Sequence, residues 1–249
     1  MSNCIFCDRS PTTNAHIFRK AWLEQIFPGL EQFEHRHQRR GEGGFDRSWS
    51  KNEADIKVGC ACESCNGGWM DQLDHAAAED IFATAAATGH TAKIASVADQ
   101  LTVARWCTLI AVLTDQTQVK PVVEPAAHKA LAASGIPDGT HVWLMKTKPP
   151  EWRAHGWLEP REFELRSSKT ASANAYFVTF GIHHLVVQVF IPTSRTPPVA
   201  LERKGNEALI RQLWPPPLTP LNYPPPQTVP WEQLPGLADA FQHHKQLGR

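Results

Sequence analysis

Apolar positions along this chain follow two textures. Within "DQLTVARWCTLIAVLTDQ", residues 99–116, they recur at helical spacing. Leu101, Ala104, Trp106, Leu109, Val112 and Leu113 make one broad face, and Asp99 can cap the start. "FRKAWLEQIF", residues 18–27, reads as a short amphipathic helix stopped by Pro28-Gly29. "GGWMDQLDHAAAEDIFATAAATG" carries a helical pattern closed by Gly89, and "PAAHKALAAS" a shorter one ended by Gly135. From residue 141 the pattern becomes strand-like. "HVWLMKT", "EFELRSS", "AYFVTFGI" and "LVVQVFIPT" are rich in β-branched and aromatic residues, and residues 175–191 are expected to form a hairpin through Gly181. "NEALIRQLW" is expected as a helix cut off by the Pro-rich run 215–226, which should lie extended on the surface, before a last helix in "LADAFQHHKQ". Residues 28–54 read as a long polar loop with one strand, and "ADIKVGC" as a strand.

The expected class is therefore α+β. Residues 1–90 should form one module. Residues 100–249 should form a second, of helices plus a small antiparallel sheet, joined to the first by the polar "TGHTAKIASVAD". The chain has 249 residues, enough for one large or two modest domains. No apolar run approaches the ~20 residues of a membrane span, so no membrane partner is expected. The N-terminus has no secretory pattern, which sets the expectation of a reducing, cytoplasmic location.

Residues 1–75 hold five of the six cysteines and little apolar periodicity, so this segment needs a staple. Cys4-x-x-Cys7 and Cys62-x-x-Cys65 supply one. Each spacing turns two sulfurs onto one cation, and four thiolates satisfy tetrahedral Zn²⁺ with no open position. Such a site is structural and adds folding free energy. Cys60 could replace Cys62, but its spacing to Cys65 is looser and Cys62 is preferred. Two knuckles, the second opening a helix, are the layout of a treble clef or a related zinc fold.

"CIFCDRSPTTNAHIFRKAWL" and "VGCACESCNGGWMDQLD" resemble the zinc-containing HNH (His-Me finger, ββα-metal) endonucleases of bacteria and phages, over residues 4–23 and 57–74, under a fifth of the chain. The resemblance implies a DNA nuclease in which His16 is the general base that activates water. It implies that Asn66 is a cation ligand or phosphate contact, with a catalytic Mg²⁺ or Mn²⁺ beside the structural zinc. Where the family carries an acidic cation ligand this chain has Ala15. Asn14, Asp71 or Asp74 are the candidate substitutes. The residue that orients the base His should lie near Lys57, Asn52 or Asp55, and none fits cleanly.

Formal net charge is zero, so no global basic imbalance marks a nucleic-acid binder. Candidate phosphate contacts are local: Arg19, Lys20, and Arg36, Arg39 and Arg40 in "HRHQRRGEGG", which reads either as a solvated loop or as a phosphate-contacting one. The competing reading is a catalytically degenerate zinc module that binds nucleic acid or a protein partner, with Ala15 marking lost activity. Oligomeric state is not written in the sequence.

Overall fold

A computed structural model describes residues 3–19, 33–38, 46–51, 56–78, 92–94, 97–148, 156–166, 172–193, 208–217 and 221–237. The architecture mixes helix and sheet, as expected. Strand β1 is Thr12–His16, β2 Phe33–Gln38, β3 Asp46–Lys51 and β4 Lys57–Cys62. A π-helical turn, Cys65–Met70, runs into helix α1, Asp71–Ala77. Then come β5, Ala92–Ile94, helix α2, Val97–Asp115, and helix α3, Pro125–Ala132. Strands β6 His141–Lys148, β7 Gly156–Arg166, β8 Ser172–Ile182, β9 Leu185–Pro192, β10 Ile210–Trp214, β11 Leu221–Tyr223 and β12 Val229–Pro230 follow, with a 3₁₀ turn at Trp231–Gly236.

The described strands form three sheets. β1 pairs antiparallel with β4, and β5 with β11. The large eight-stranded sheet has the order β10-β6-β9-β8-β7-β2-β3, with β12 parallel to β6 and β2 parallel to β7. Alternation along β6 divides its two faces. Val142 and Leu144 join the main core with Val178, Phe180, Val187 and Val189, while Met145 packs with Val186, Val229, Trp231 and Leu234.

Helix α2 begins two residues before Asp99 and is buried on nearly all sides, from Val103 to Asp115. It is the one described helix long and apolar enough in composition to cross a membrane, and 67% of that window is packed inside the protein, as in a core helix. At its end Asp115 accepts the N–H groups of Val122 and Val123 at 3.0–3.1 Å, fixing the approach to α3. Phe18, just after β1, touches both Trp106 of α2 (6.4 Å between rings) and Phe180 of β8 (5.8 Å). One apolar cluster therefore runs from Cys4 and Phe6 through α2 to Ile191 and Tyr223.

Four sequence expectations change. Within "NEALIRQLW", Ile210–Trp214 is strand β10 and not the expected helix, with Ile210 opposite Met145 and Arg211 opposite Leu144. A run this short is a marginal helix, and the open edge of β6 satisfies its backbone instead. The hairpin does not turn through Gly181, which stays in β8 opposite Val186; it turns at His183-His184, the pair that also reads from the sequence as a hairpin corner. His183 takes φ 53°, the left-handed conformation a two-residue turn demands, and His184 is tied down from Nδ1 to the Thr147 carbonyl at 2.9 Å. Residues 28–54 hold two strands, so Arg36 lies in β2 opposite Ser48 and not in a loop. The Pro-rich run is partly internal: Leu221 and Tyr223 are buried, and Tyr223 donates to the Met145 carbonyl at 3.1 Å. Most of the helix expected at 18–27, the stretch 79–91 with the Gly89 stop, and the C-terminal helix beyond Leu237 lie outside the described residues.

Candidate metal centre and adjoining cleft

The first knuckle is a tight turn. The Asp8 N–H donates to the Cys4 carbonyl (2.9 Å) and the Cys4 N–H to the Arg9 carbonyl (2.8 Å), with Asp8 at φ 61°. The Ile5 N–H reaches the Cys60 carbonyl at 3.0 Å, binding this turn to β4. Cys62 closes β4 opposite Thr12, and Cys65 opens the π turn. These elements bring the sulfurs of Cys4, Cys7, Cys62 and Cys65 within 4.8 Å of one another, Cys7 and Cys62 at 3.5 Å. Tetrahedral zinc with ~2.3 Å bonds separates its thiolates by about 3.8 Å, so the quartet fits the ion without rearrangement of the backbone. Among the described residues it is the only group of this kind.

Cys60 lies outside it. Two residues back along a strand is roughly 6.6 Å, a full ligand position away. Burial, with Cys4 beside it, pushes the Cys60 thiol up to about 12. Burial also resists ionisation of Cys62, but the Cys65 N–H and the thiols of Cys7, Cys65 and Cys4 outweigh it and pull Cys62 down to about 7. Burial and then the Cys7 thiol push Cys65 up. Zinc binding would take all four to thiolates.

His16 and Asn66 meet on the adjoining cleft, a space of about 180 Å³ that also touches Arg19, Gly67, Asp71, Asp74 and the α2 residues Leu109 and Ile110. A β-bulge at Asn14 separates Thr13, opposite Ala61, from Ala15, opposite Val58. Ala15 is completely buried, while His16, opposite Lys57, lines the cleft. The Asn66 amide donates to the Thr13 hydroxyl at 3.3 Å, and that hydroxyl donates to the Ala61 carbonyl at 3.1 Å.

Arg19 is gripped from three sides. It pairs with Asp71, its Nε reaches Asp74 at 3.2 Å, and one terminal nitrogen lies 3.0 Å from His75 Nε2. Arginine only donates, so His75 accepts there through a bare Nε2. Asp74 also accepts the Trp106 indole N–H at 2.8 Å. Burial raises the Asp74 carboxyl, against the pull of Trp106 and Arg19.

Of the sequence candidates, the cleft thus gathers His16, Asn66 and Arg19, together with Asp71 and Asp74. It does not gather Ala15; Arg36 is placed by its backbone alone, in β2. Lys20, Asn52, Asp55, Arg39 and Arg40 lie outside the described residues. Trp106 and His75, which hold Asp74 and Arg19, were not singled out for the site; no local motif marks them, because their partners come from other elements. Comparison with known protein families, characterised proteins and solved structures yields no match.

Proposed function

We propose that this chain is a zinc-stapled HNH-type nuclease module, of ββα-metal or treble-clef kind, that cleaves DNA phosphodiesters with His16 as general base. One observation carries this reading. His16, from a strand end, and Asn66, from the first turn after the second knuckle, share a cleft whose walls the cysteine quartet ties together. The order strand, strand, helix around that cleft supports it. His16 has the chemistry to take a proton from an attacking water near neutral pH. Asn66 offers an amide oxygen, and Arg19 a donor for a phosphate oxygen. A hard cation such as Mg²⁺ or Mn²⁺ would stabilise the developing charge. The four-thiolate centre has no position for substrate, so that cation would sit apart from it, near Asn66 and the carboxylate of Asp71. Activity in a reducing cytoplasm would suit the free thiols.

A second reading keeps the fold and drops the catalysis: a module that binds nucleic acid or a protein partner. Two observations favour it. Ala15 has no ligand atom and is fully buried, so an aspartate there would enter the core and not the cleft. Arg19 already engages both Asp71 and Asp74. Incubation of zinc-loaded protein with DNA and Mg²⁺ or Mn²⁺ separates the two. The nuclease reading expects cation-dependent cleavage that falls about 10²–10⁴-fold in His16→Ala at unchanged zinc content. Retention of DNA by an inert wild type would support the binding module, and equal cleavage by His16→Ala would remove His16 from the mechanism.

A further inference from the structure

The Trp69 indole sits beside the cysteine quartet with its polar atom unaccounted for. Trp69 is four residues after Cys65, on the π turn. Its ring meets Phe6 of the first knuckle edge-on, centroids 5.2 Å apart at 85°. Arg105 of α2 covers the ring face, its guanidinium carbon 5.0 Å from the centroid. Arg105 is itself fixed, donating twice to the Leu131 carbonyl near the end of α3, at 3.2 and 2.8 Å. The indole is therefore held on its edge and its face by two different elements. Yet Nε1 is buried with no hydrogen-bond partner of ordinary geometry. A buried indole N–H without an acceptor is costly, and such orphans ask for an explanation.

Cys65 lies four residues back on the same π-helical turn, and the Trp69 side chain acts on its thiol as a hydrogen-bond donor would. A protonated thiol is a weak acceptor, whereas a metal-bound thiolate is a charged one. Four thiolates on Zn²⁺ carry two excess negative charges, and three of the four cysteines here are buried. Donors around the sulfurs must offset that charge. Cys7 has the Arg9 backbone N–H and Cys62 has the Cys65 backbone N–H. For Cys65 the corresponding donor is a side chain.

We propose that Trp69 is a working part of the metal centre: its indole N–H hydrogen-bonds the Cys65 thiolate of the loaded site, with Phe6 and Arg105 fixing the ring in that orientation. The bond withdraws charge from Cys65 and shields it from electrophiles, which keeps the centre structural. The orphaned N–H is thus the signature of a site built for a metal. The inference rests on the cysteine quartet and on nothing in the cleft, so it stands or falls apart from the nuclease reading.

The test uses the full chain with Co²⁺ or NMR-active cadmium exchanged for zinc. In Trp69→Phe the Co²⁺ protein keeps its four-thiolate absorption, but the sulfur-to-cobalt charge-transfer band moves to lower energy. Alkylation of the bound thiolates by iodoacetamide rises roughly tenfold, as loss of a hydrogen bond to a charged group implies. An unchanged band and an unchanged alkylation rate, with metal still bound, would overturn the proposal. The cadmium form of the wild type needs no variant: one of its nine indole N–H signals should be split by coupling to the metal through the hydrogen bond. If Trp69→Phe fails to fold, that spectrum decides, and nine unsplit indole signals would refute the assignment.

Discussion

The β1–β4 pair with its knuckles and the eight-stranded sheet pack on the same helix, α2, but hold together by different means. The sheet makes its own core. Strands β6, β8 and β9 are buried on both faces, and the β7–β8 ladder runs unbroken from Gly156 opposite Ile182 to Arg166 opposite Ser172. The knuckle region has a two-stranded ladder broken by a bulge, and two tight turns. A two-stranded pair is not independently stable in water. Its apolar side chains, Phe6, Phe18, Met70 and Leu73 among them, belong to the same cluster as the inner face of the sheet, and what it has besides is the sulfur quartet. A metal on that quartet would let coordination supplement packing where the chain presents short irregular segments, here the strand end carrying His16 and the turn carrying Asn66.

Chelation should break that symmetry most strongly. Structural zinc supplies on the order of 10 kcal/mol to folding. We expect residues 3–19 and 56–78 to become protease-sensitive under a strong chelator while the sheet keeps its circular dichroism. This boundary is not the sequence division into residues 1–90 and 100–249, because β2 and β3 lie in the large sheet beside β7. Loss of all structure in one transition would mean that the apolar cluster joining Phe18, Trp106 and Phe180 makes the two regions one cooperative unit.

Trp106 sharpens the same question from the other side. It is fully buried, contacts Phe18 and Phe180, and holds Asp74. Trp106→Ala should lower thermal stability by about 3–5 kcal/mol, through the cavity it leaves. If the regions are separable, the melting of both should shift, because both lean on this residue; a shift confined to one would place Trp106 in that region alone.

A smaller effect should appear in acid. His128 of α3 packs on Phe6 of the first knuckle, 6.2 Å between rings, and burial lowers its pKa from 6.5 to about 4. The unfolded chain then binds this proton when the folded one does not. Stability is full above pH 6.5 and declines as pH falls toward 4, by on the order of 3 kcal/mol. Facing groups include Phe6 and, one residue along α3, the exposed Lys129–Asp8 pair at 3.2 Å. Denaturant midpoints measured against pH should flatten over this window in His128→Leu relative to wild type. Parallel curves for the two proteins would show that His128 protonation is not linked to unfolding.

Much of this was legible in the residues. The two Cys-x-x-Cys spacings announce their partner because thiolate coordination is local at each knuckle, and α2, β6, β8 and β9 announce themselves through long apolar patterns. Other features were not legible, for physical reasons. β2 is polar and finds its parallel partner β7 more than a hundred residues away, so no local pattern reveals it. "NEALIRQLW" satisfies a helical and a strand pattern alike, and only the open edge of β6 decides between them. Asp71 and Asp74 could not be placed by helical spacing from Asn66. The intervening turn is π-helical, and Gly68, at φ −102° and ψ −109°, breaks the helix. Trp106 and Arg105 serve the site from α2, a helix whose pattern speaks only of the core.

The sulfur quartet bears the greatest weight, and metal content tests it directly. Elemental analysis of purified protein should find one Zn²⁺ per chain. Cys62→Ser should lose it, with the first region opened to protease, while Cys60→Ser retains it. Folded wild-type protein that carries no metal would contradict the account, as would Cys62→Ser protein that keeps its zinc.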